Sequence, residues 1–278
     1  SPNNVGAGIY YKVSGSGGYF NLMNCEIKDN KGFTQGAGFE LRIGGSNTYN
    51  VTIQNCHLHN NTSRYAPSWI SVSEGDVTVK LDFINNLVEG NSTVNQGGNW
   101  TGFKASAGGM VTGKGTSKTD VNIINSTFAN NTNQATNITA GQALICISER
   151  KNENSTVNVS SYNSIYYGNS STESFGYWQH QGAYTRLSNL TLINNITEDT
   201  PNSTYGVGNV TVTGHSSADP LFTSLPNHNF TLKSNSPAID AGSTAGITNL
   251  IPFMDLSENY RVKGTIDLGV YEYDSSPV

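Results

Sequence analysis

The 278-residue chain predicts an all-β fold, a parallel β-helix solenoid with a C-terminal capping segment. Three observations lead there. A phrase of the form apolar-x-apolar-x-Asn-small-x-apolar-x-x-Asn recurs along the chain, and recurrence at this period is the signature of a repeat architecture. Inside each copy apolar and polar residues alternate, the period of a strand with one buried face. The tight-hairpin dipeptides Asn-Gly and Asp-Gly are absent despite 30 glycines, and no ten-residue stretch carries helical periodicity. Meanders need such hairpins and α/β crossovers need helices. Only a coil of short strands, each turn stacked on the last, needs neither.

The elements follow in order. Gly6-Ala-Gly-Ile-Tyr-Tyr-Lys-Val13 opens the chain as a strand and is answered by Gly36-Ala-Gly-Phe-Glu-Leu-Arg-Ile43 and Ala66-Pro-Ser-Trp-Ile-Ser-Val72. The repeat phrase occupies Phe20 to Asn30, Val51 to Asn61, Leu81 to Asn91, Val121 to Asn131 and, more loosely, Val159 to Asn169. Its first asparagine falls at Asn24, Asn55, Asn85, Asn125 and Asn163, at spacings of 31, 30, 40 and 38 residues, so insertions enter after the third copy. Coils stacked about 4.8 Å apart bring equivalent residues into ladders. The expected inward ladders are Leu22/Ile53/Phe83/Ile123 and Ile27/Leu58/Val88/Phe128. The five asparagines are read as a structural ladder, because Asn accepts left-handed turns and stacked amides bond from coil to coil. The domain reading is coils over residues 1–217, then the last coil and cap over 218–278.

Composition agrees. Only 13% of residues are charged and 35% are hydrophobic, so polarity rests on Asn, Ser, Thr and Gly. The net charge of −5 gives no basic stripe for nucleic acid. The pattern holds no transmembrane-length apolar run, and no signal peptide is expected within it. The chain starts directly in a strand phrase, and a bare first coil leaves an unpaired edge, so a longer or processed parent is expected. Cys25 and Cys56 share the slot after the ladder asparagine on adjacent coils, a placement open to two free thiols or to a disulfide. Sequons such as Asn50, Asn60, Asn99, Asn137 and Asn229 are expected in a chain so rich in Asn, Ser and Thr.

The pairing of Gly6-Ala-Gly-Ile9 and Gly36-Ala-Gly-Phe39 with Ile27-Lys-Asp-Asn30, Leu58-His-Asn-Asn61 and Phe128-Ala-Asn-Asn131 resembles the GGAI and FxxN repeats of polymorphic outer-membrane proteins. The match runs over roughly residues 6 to 215. The segment with Ala218-Asp-Pro-Leu-Phe222, Asn229-Phe-Thr-Leu232, Ser234-Asn-Ser-Pro-Ala-Ile-Asp-Ala-Gly242, Asp255-Leu and Gly264-Thr-Ile-Asp-Leu-Gly-Val-Tyr-Glu-Tyr273 is similar to the terminal segment of choice-of-anchor Q proteins, frequent in the Bacteroidetes. The resemblance implies a right-handed parallel β-helix, export, and an extracellular or cell-surface location. No sorting domain is visible before Val278.

Aligning the early strand phrases puts Ile9, Tyr11 and Val13 inward with Phe39, Leu41 and Ile43. It turns Tyr10, Lys12, Glu40 and Arg42 outward, and places Trp69, Ser71 and Lys104 beside them on later coils. Aromatic rings among charges on one strip suit a carbohydrate. A solvated sheet face with weak cross-strand ion pairs has the same composition. The function expected is therefore a secreted or cell-surface adhesin or stalk that binds a polysaccharide or surface glycan along an exposed strand face, as part of a longer surface protein. It is expected not to bind nucleic acid or insert into a membrane.

A polysaccharide-degrading lyase or glycoside hydrolase and a purely structural spacer are the alternatives. A lyase needs a base beside a charge neutraliser and a hydrolase needs two carboxylates at a set separation. The available groups are Lys80 and Asp82, Glu149 to Lys151, and Tyr177, Trp178 and His180, and the sequence shows no convergence among them. His57 and His59 flank inward Leu58 and need a further ligand, such as Asp29 or Glu89, to hold a metal. No cofactor or metal is assigned. Asp219, Asp240, Asp255, Asp267 and Glu272 invite calcium, but their spacing matches no loop with defined ligand positions. The segment is read instead as a structural cap in which Asp240 and Asp267 accept backbone N–H bonds and Pro237, Gly242 and Gly269 set turns.

Overall fold

A computed structural model of the chain describes residues 8–32, 36–94, 105–134, 142–149, 154–171, 173–179, 188–200 and 208–274. The strands are parallel and short, and each turn of chain supplies one strand to each of three sheets. In one such turn Phe39–Gly45 joins the first sheet, Thr48–Gln54 the second and His57–His59 the third, followed by the two-residue strand Thr62–Ser63. The next turn starts at Trp69–Gly75, which pairs in parallel with Phe39–Gly45. The first sheet runs from Ile9–Gly15 to Glu173–Gln179, the second from Gly18–Met23 to Asn209–Thr213, and the third from Glu26–Lys28 to Ile196–Thr197. The protein is thus all-β, with parallel strands stacked sheet by sheet.

The interior follows from the register. Leu22, Ile53, Phe83 and Ile123 are partners on successive strands, and Ile27, Leu58, Val88, Phe128 and Tyr166 form a second ladder. An aromatic column crosses between the ladders. Trp69 stacks on Phe83 with ring centroids 5.3 Å apart, Phe83 on Phe128 at 5.9 Å, and Phe128 on Tyr166 at 5.0 Å. Offset aromatic pairs at such distances add to what burial alone contributes. Glycine enters where the column needs room: a Cβ at Gly109 would lie 2.3 Å from the Trp69 indole nitrogen.

The two asparagines of the phrase divide the polar work. The first sits at the corner between second and third sheets in the left-handed region, with φ of 54°, 54°, 55°, 45° and 49° at Asn24, Asn55, Asn85, Asn125 and Asn163. Asn tolerates this conformation better than other residues with a Cβ. Its amide stacks on its neighbour only early in the stack, Asn55 donating to Asn24 and Asn85 to Asn55. Asn125 and Asn163 donate instead to the carbonyls of Asp267 and Ser243. The continuous amide ladder belongs to the second asparagine. The Nδ2 of Asn30, Asn61, Asn91 and Asn131 each donates to the Oδ1 of the next coil's asparagine, ending at Asn169, at 2.9 to 3.0 Å. Asn61, Asn91 and Asn131 are wholly buried.

Residues 218–274 lie along the side of the stack. The antiparallel pair Phe222–Ser224 and Asn229–Leu232 buries Phe222, Phe230 and Leu232 in one cluster with Leu87, Ala129, Ile165 and Ile196 of the third sheet. Farther on, Ile247 packs with Ile84 and Ile124, and Met254 accepts from Asn85. The segment passes to and fro along the flank, reaching Asn163 at Ser243, Asn85 at Met254, and Asn125 and Asn163 again at Asp267 and Gly269. Of the two expected carboxylate acceptors Asp267 takes that role, while Asp240 takes part through its backbone N–H, and Asp255 is a further acceptor. Asp267 accepts from the backbone of Asp240 and Tyr273, and Asp255 from that of Ser257, Asn259 and Glu272. Among the described residues no helix is long and apolar enough to cross a membrane.

Asn91→Ala removes the acceptor of two Asn61 donors and the donor to Leu58, Glu89 and Asn131. Each buried group so orphaned costs about 1 to 3 kcal/mol, so chemical denaturation should show a loss of about 3 kcal/mol or more. Asn24→Gly, on an exposed corner where glycine keeps the left-handed turn, should change stability by less than about 1 kcal/mol. Equal losses would contradict this division of roles.

Candidate functional site

The third sheet is three residues wide, and its middle residue points inward. Its flanking residues must therefore point outward and stack in register. Glu26, His57 and Leu87 form one outward column, and Lys28, His59 and Glu89 the other. Contacts cross between columns as well as along them. His59 Nε2 lies 2.9 Å from Glu26 Oε1, and His57 Nε2 lies 3.1 Å from Glu89 Oε1. The two imidazoles stack with centroids 3.9 Å apart. The C-terminal segment closes the cluster from outside, where His228 Nδ1 meets Glu89 Oε2 at 2.5 Å.

The electrostatics differ at the two ends. Hydrogen bonds from His59 and then Lys28 hold the exposed Glu26 carboxyl down at about 2. Burial alone would push Glu89 up, but hydrogen bonds from His57 and His228, with their charges, outweigh it and keep it below the usual carboxylate range. Both carboxylates are therefore ionised acceptors at neutral pH. Beside them an open groove of about 770 Å³ runs between stack and C-terminal segment, lined by Asn24, Glu26, Asn55 and His57 on one wall and Met254, Leu256, Glu258 and Tyr271 on the other.

Behind the far wall lies a buried charge cluster. Arg261, fully buried, faces Glu272 at 3.2 Å and donates to the Gly269 carbonyl. Burial, together with repulsion from Asp267 and Asp255, pushes Glu272 up to about 8 against the pull of Arg261. Burial raises Asp267 as well. The cluster therefore retains a proton near neutrality, and its acceptor oxygens are committed to the segment's own backbone.

The outward strip of the first sheet does not form as expected. Trp69 pairs with Phe39, and Ile70 and Val72 pair with Glu40 and Arg42, one residue out of the anticipated register. A one-residue slip exchanges the two faces of a strand. Trp69 is accordingly buried in the aromatic column and cannot be a sugar platform, and Ser71 is buried too. The outward column reads Tyr10, Glu40, Ile70, Met110, Cys146, and it turns apolar and buried from the third coil onward. Glu40 is buried and meets Arg42 at 2.5 Å. Tyr10 and Lys12 are exposed and Arg42 partly so. Lys104, Arg150, Lys151 and His180 lie outside the described residues. Cys25, Cys56 and Cys146 are free thiols, and burial pushes Cys56 up to about 11.

Of the groups weighed for chemistry, the structure brings together His57, His59 and Glu89, and adds Glu26 and His228. Glu26 could have been found by extending the ladder one coil back. His228 and the far wall depend on how the C-terminal segment docks, for which a single sequence holds no periodic signal. No protein-family model matches the chain, and no curated protein matches it.

Two outcomes follow. Trp69→Ala should cost about 3 to 5 kcal/mol in denaturant unfolding, the range for truncating a buried large aromatic; an unchanged midpoint would place the ring outside the core. Because Glu272 rises from its ordinary 4.5 to about 8, the folded state holds a proton there that the unfolded chain has released. Stability from this group is fully present below about 4.5 and is lost as pH rises to about 8. Glu272→Gln should flatten the decline across that window.

Proposed function

We propose that the chain is a right-handed parallel β-helix module of an exported, cell-surface protein, and that it acts as an adhesin or stalk holding a glycan in the groove between stack and C-terminal segment. The handedness and the surface location rest on the resemblance to polymorphic outer-membrane and choice-of-anchor Q proteins. The glycan reading rests on one observation, the groove lined by the amides of Asn24 and Asn55, the carboxylates of Glu26 and Glu258, and the apolar Met254, Leu256 and Tyr271. Amides and carboxylates are the acceptors and donors that sugar hydroxyls use, and an aromatic ring with aliphatic neighbours suits the apolar face of a pyranose.

Binding is favoured over hydrolysis by the state of two of the three carboxylates that line the groove. A glycosidase needs one carboxyl protonated as a general acid. Glu26 is held ionised by His59 and Lys28, and both oxygens of Asp255 are occupied by N–H donors. The groove is open and its polar groups are spread along it, which suits shallow contact with an extended polymer.

The test is retention of the purified chain on a panel of neutral and uronate-containing polysaccharides, read together with absorbance of unsaturated product and release of reducing ends. The Asn24→Gly, Glu258→Ala double variant should lose retention about 10-fold, as expected for two or so lost hydrogen bonds, with unfolding nearly unchanged. Loss on Tyr10→Ala instead would return the binding face to the first sheet. Product formation would make the protein an enzyme and overturn the reading.

A further inference from the structure

We propose that Glu26, His57 and His59 form a binding site for a divalent transition metal of the zinc class. This goes beyond the glycan reading and does not depend on it. One ligand atom from each of the three side chains lies within 4.8 Å of the others. A tetrahedral zinc with bonds of 2.0–2.1 Å wants its donors about 3.3 Å apart, so closure of at most about 1.5 Å completes the set. Glu26, half exposed at 50% and at the edge of the cluster, has room to move toward the two imidazoles.

The hydrogen bonds around the cluster fix where the imidazole protons sit in the metal-free protein. Glu89, only 4% exposed, lies 3.1 Å from His57 Nε2, so that nitrogen carries the shared proton and leaves Nδ1 as the lone pair. The Asn60 amide nitrogen lies 3.2 Å from His59 Nδ1 and can only donate, so His59 Nε2 carries the proton facing Glu26. A metal between Glu26 and His59 Nε2 takes the place of that proton, which passes to Nδ1 as the other neutral tautomer. Glu89 Oε1 then lies 3.6 Å from His59 Nδ1, ready to accept it once Asn60 turns away. One buried carboxylate would thus orient both imidazoles, the carboxylate–histidine–metal arrangement that raises ligand basicity. His228, on the other Glu89 oxygen, anchors that carboxylate from the C-terminal segment. Two histidines and one carboxylate leave a fourth position, and because Glu26 and His57 also line the groove, that position opens to solvent there.

The experiment uses the tag-free full chain, stripped with chelator and dialysed. Zinc is titrated by calorimetry and cobalt by visible absorbance, with no glycan present. The expected result is one equivalent per chain, a tetrahedral cobalt spectrum, and a zinc-dependent rise in the thermal midpoint. His57→Gln and His59→Gln should each abolish the site, Glu89→Gln should weaken it about 10- to 100-fold, and His215→Ala, on the far end of the stack, should change nothing. Metal-free unfolding of each variant shows whether it folds, and the surface glutamines keep a polar group at each position. Wild-type affinity equal to that of the histidine variants overturns the proposal and leaves a hydrogen-bonded His–Glu ladder, as does binding insensitive to Glu26→Gln.

Discussion

The buried amide ladder from Asn30 to Asn169 is the constraint on which the other features rest. A stack of short parallel strands has no hairpins to set its register, so nothing in the local turn chemistry prevents one coil from slipping past the next. The ladder supplies that specification from inside. Each Oδ1 takes both the backbone N–H and the side-chain N–H of the preceding coil's asparagine, as Asn91 does for Asn61, and each Nδ2 also reaches a backbone carbonyl, as Asn91 reaches Leu58. A slip by one residue would leave these groups unpaired among Leu58, Val88 and Phe128, at the full desolvation cost of each. The aliphatic and aromatic columns supply most of the burial, but columns of similar residues tolerate displacement. The amides do not.

The outer face of the third sheet inherits that register. Because Leu58 and Val88 are held inward, His57, His59 and Glu89 are held outward at fixed spacings. The C-terminal segment reads this surface through Leu87 and Ile165 for packing and through Asn125, Asn130 and Asn163, whose amides bond its carbonyls. Corner asparagines that stack on one another early in the molecule thus become docking points later. The segment's own fold depends on Arg261, a buried cation that requires carboxylates around it. Three of them surround one guanidinium, and the excess negative charge is relieved by a retained proton on Glu272.

What was legible in the sequence was what repeats. The inward columns, the corner asparagines and the strand nature of each phrase all recur, and recurrence overrides weak local propensity. The third strand phrase sits one residue out of the expected register because Trp69, Ile70, Ser71 and Val72 are all buried, so apolar and polar residues do not alternate there. Aligning the small-x-small-aromatic lead of Gly36-Ala-Gly-Phe39 with Ala66-Pro-Ser-Trp69 recovers the register, which the bonds from Gly38 and Phe39 to Pro67 and Ser68 enforce. Which asparagine carries the ladder was not legible, since both recur at the same period and only burial separates them. The approach of His228 to Glu89, 139 residues away in the chain, has no periodic trace at all.

The position of the His–Glu cluster follows from where the chain tolerates insertion. Coil spacing grows from 30 and 31 residues to 38 and 40, and the added residues lie in and around the first-sheet strands, partly before Ala105–Gly115 and Gln142–Glu149, partly in the lengthened Ala105–Gly115 and partly between Gln142–Glu149 and Thr156–Tyr162. The third sheet absorbs none of the growth, and its strands stay three residues long from Glu26–Lys28 to Ile165–Tyr167. A flank of constant width is one on which a long segment can lie flat, and it presents titratable side chains at unvarying separations. Multidentate chemistry needs that constancy, because a ligand set spread over two coils survives only if the coils cannot shift against each other. The first sheet, next to the insertions, lost its polar strip to an apolar column of Ile70, Met110 and Cys146. The same repeat thus produces one face given over to packing and one on which side chains from separate coils meet.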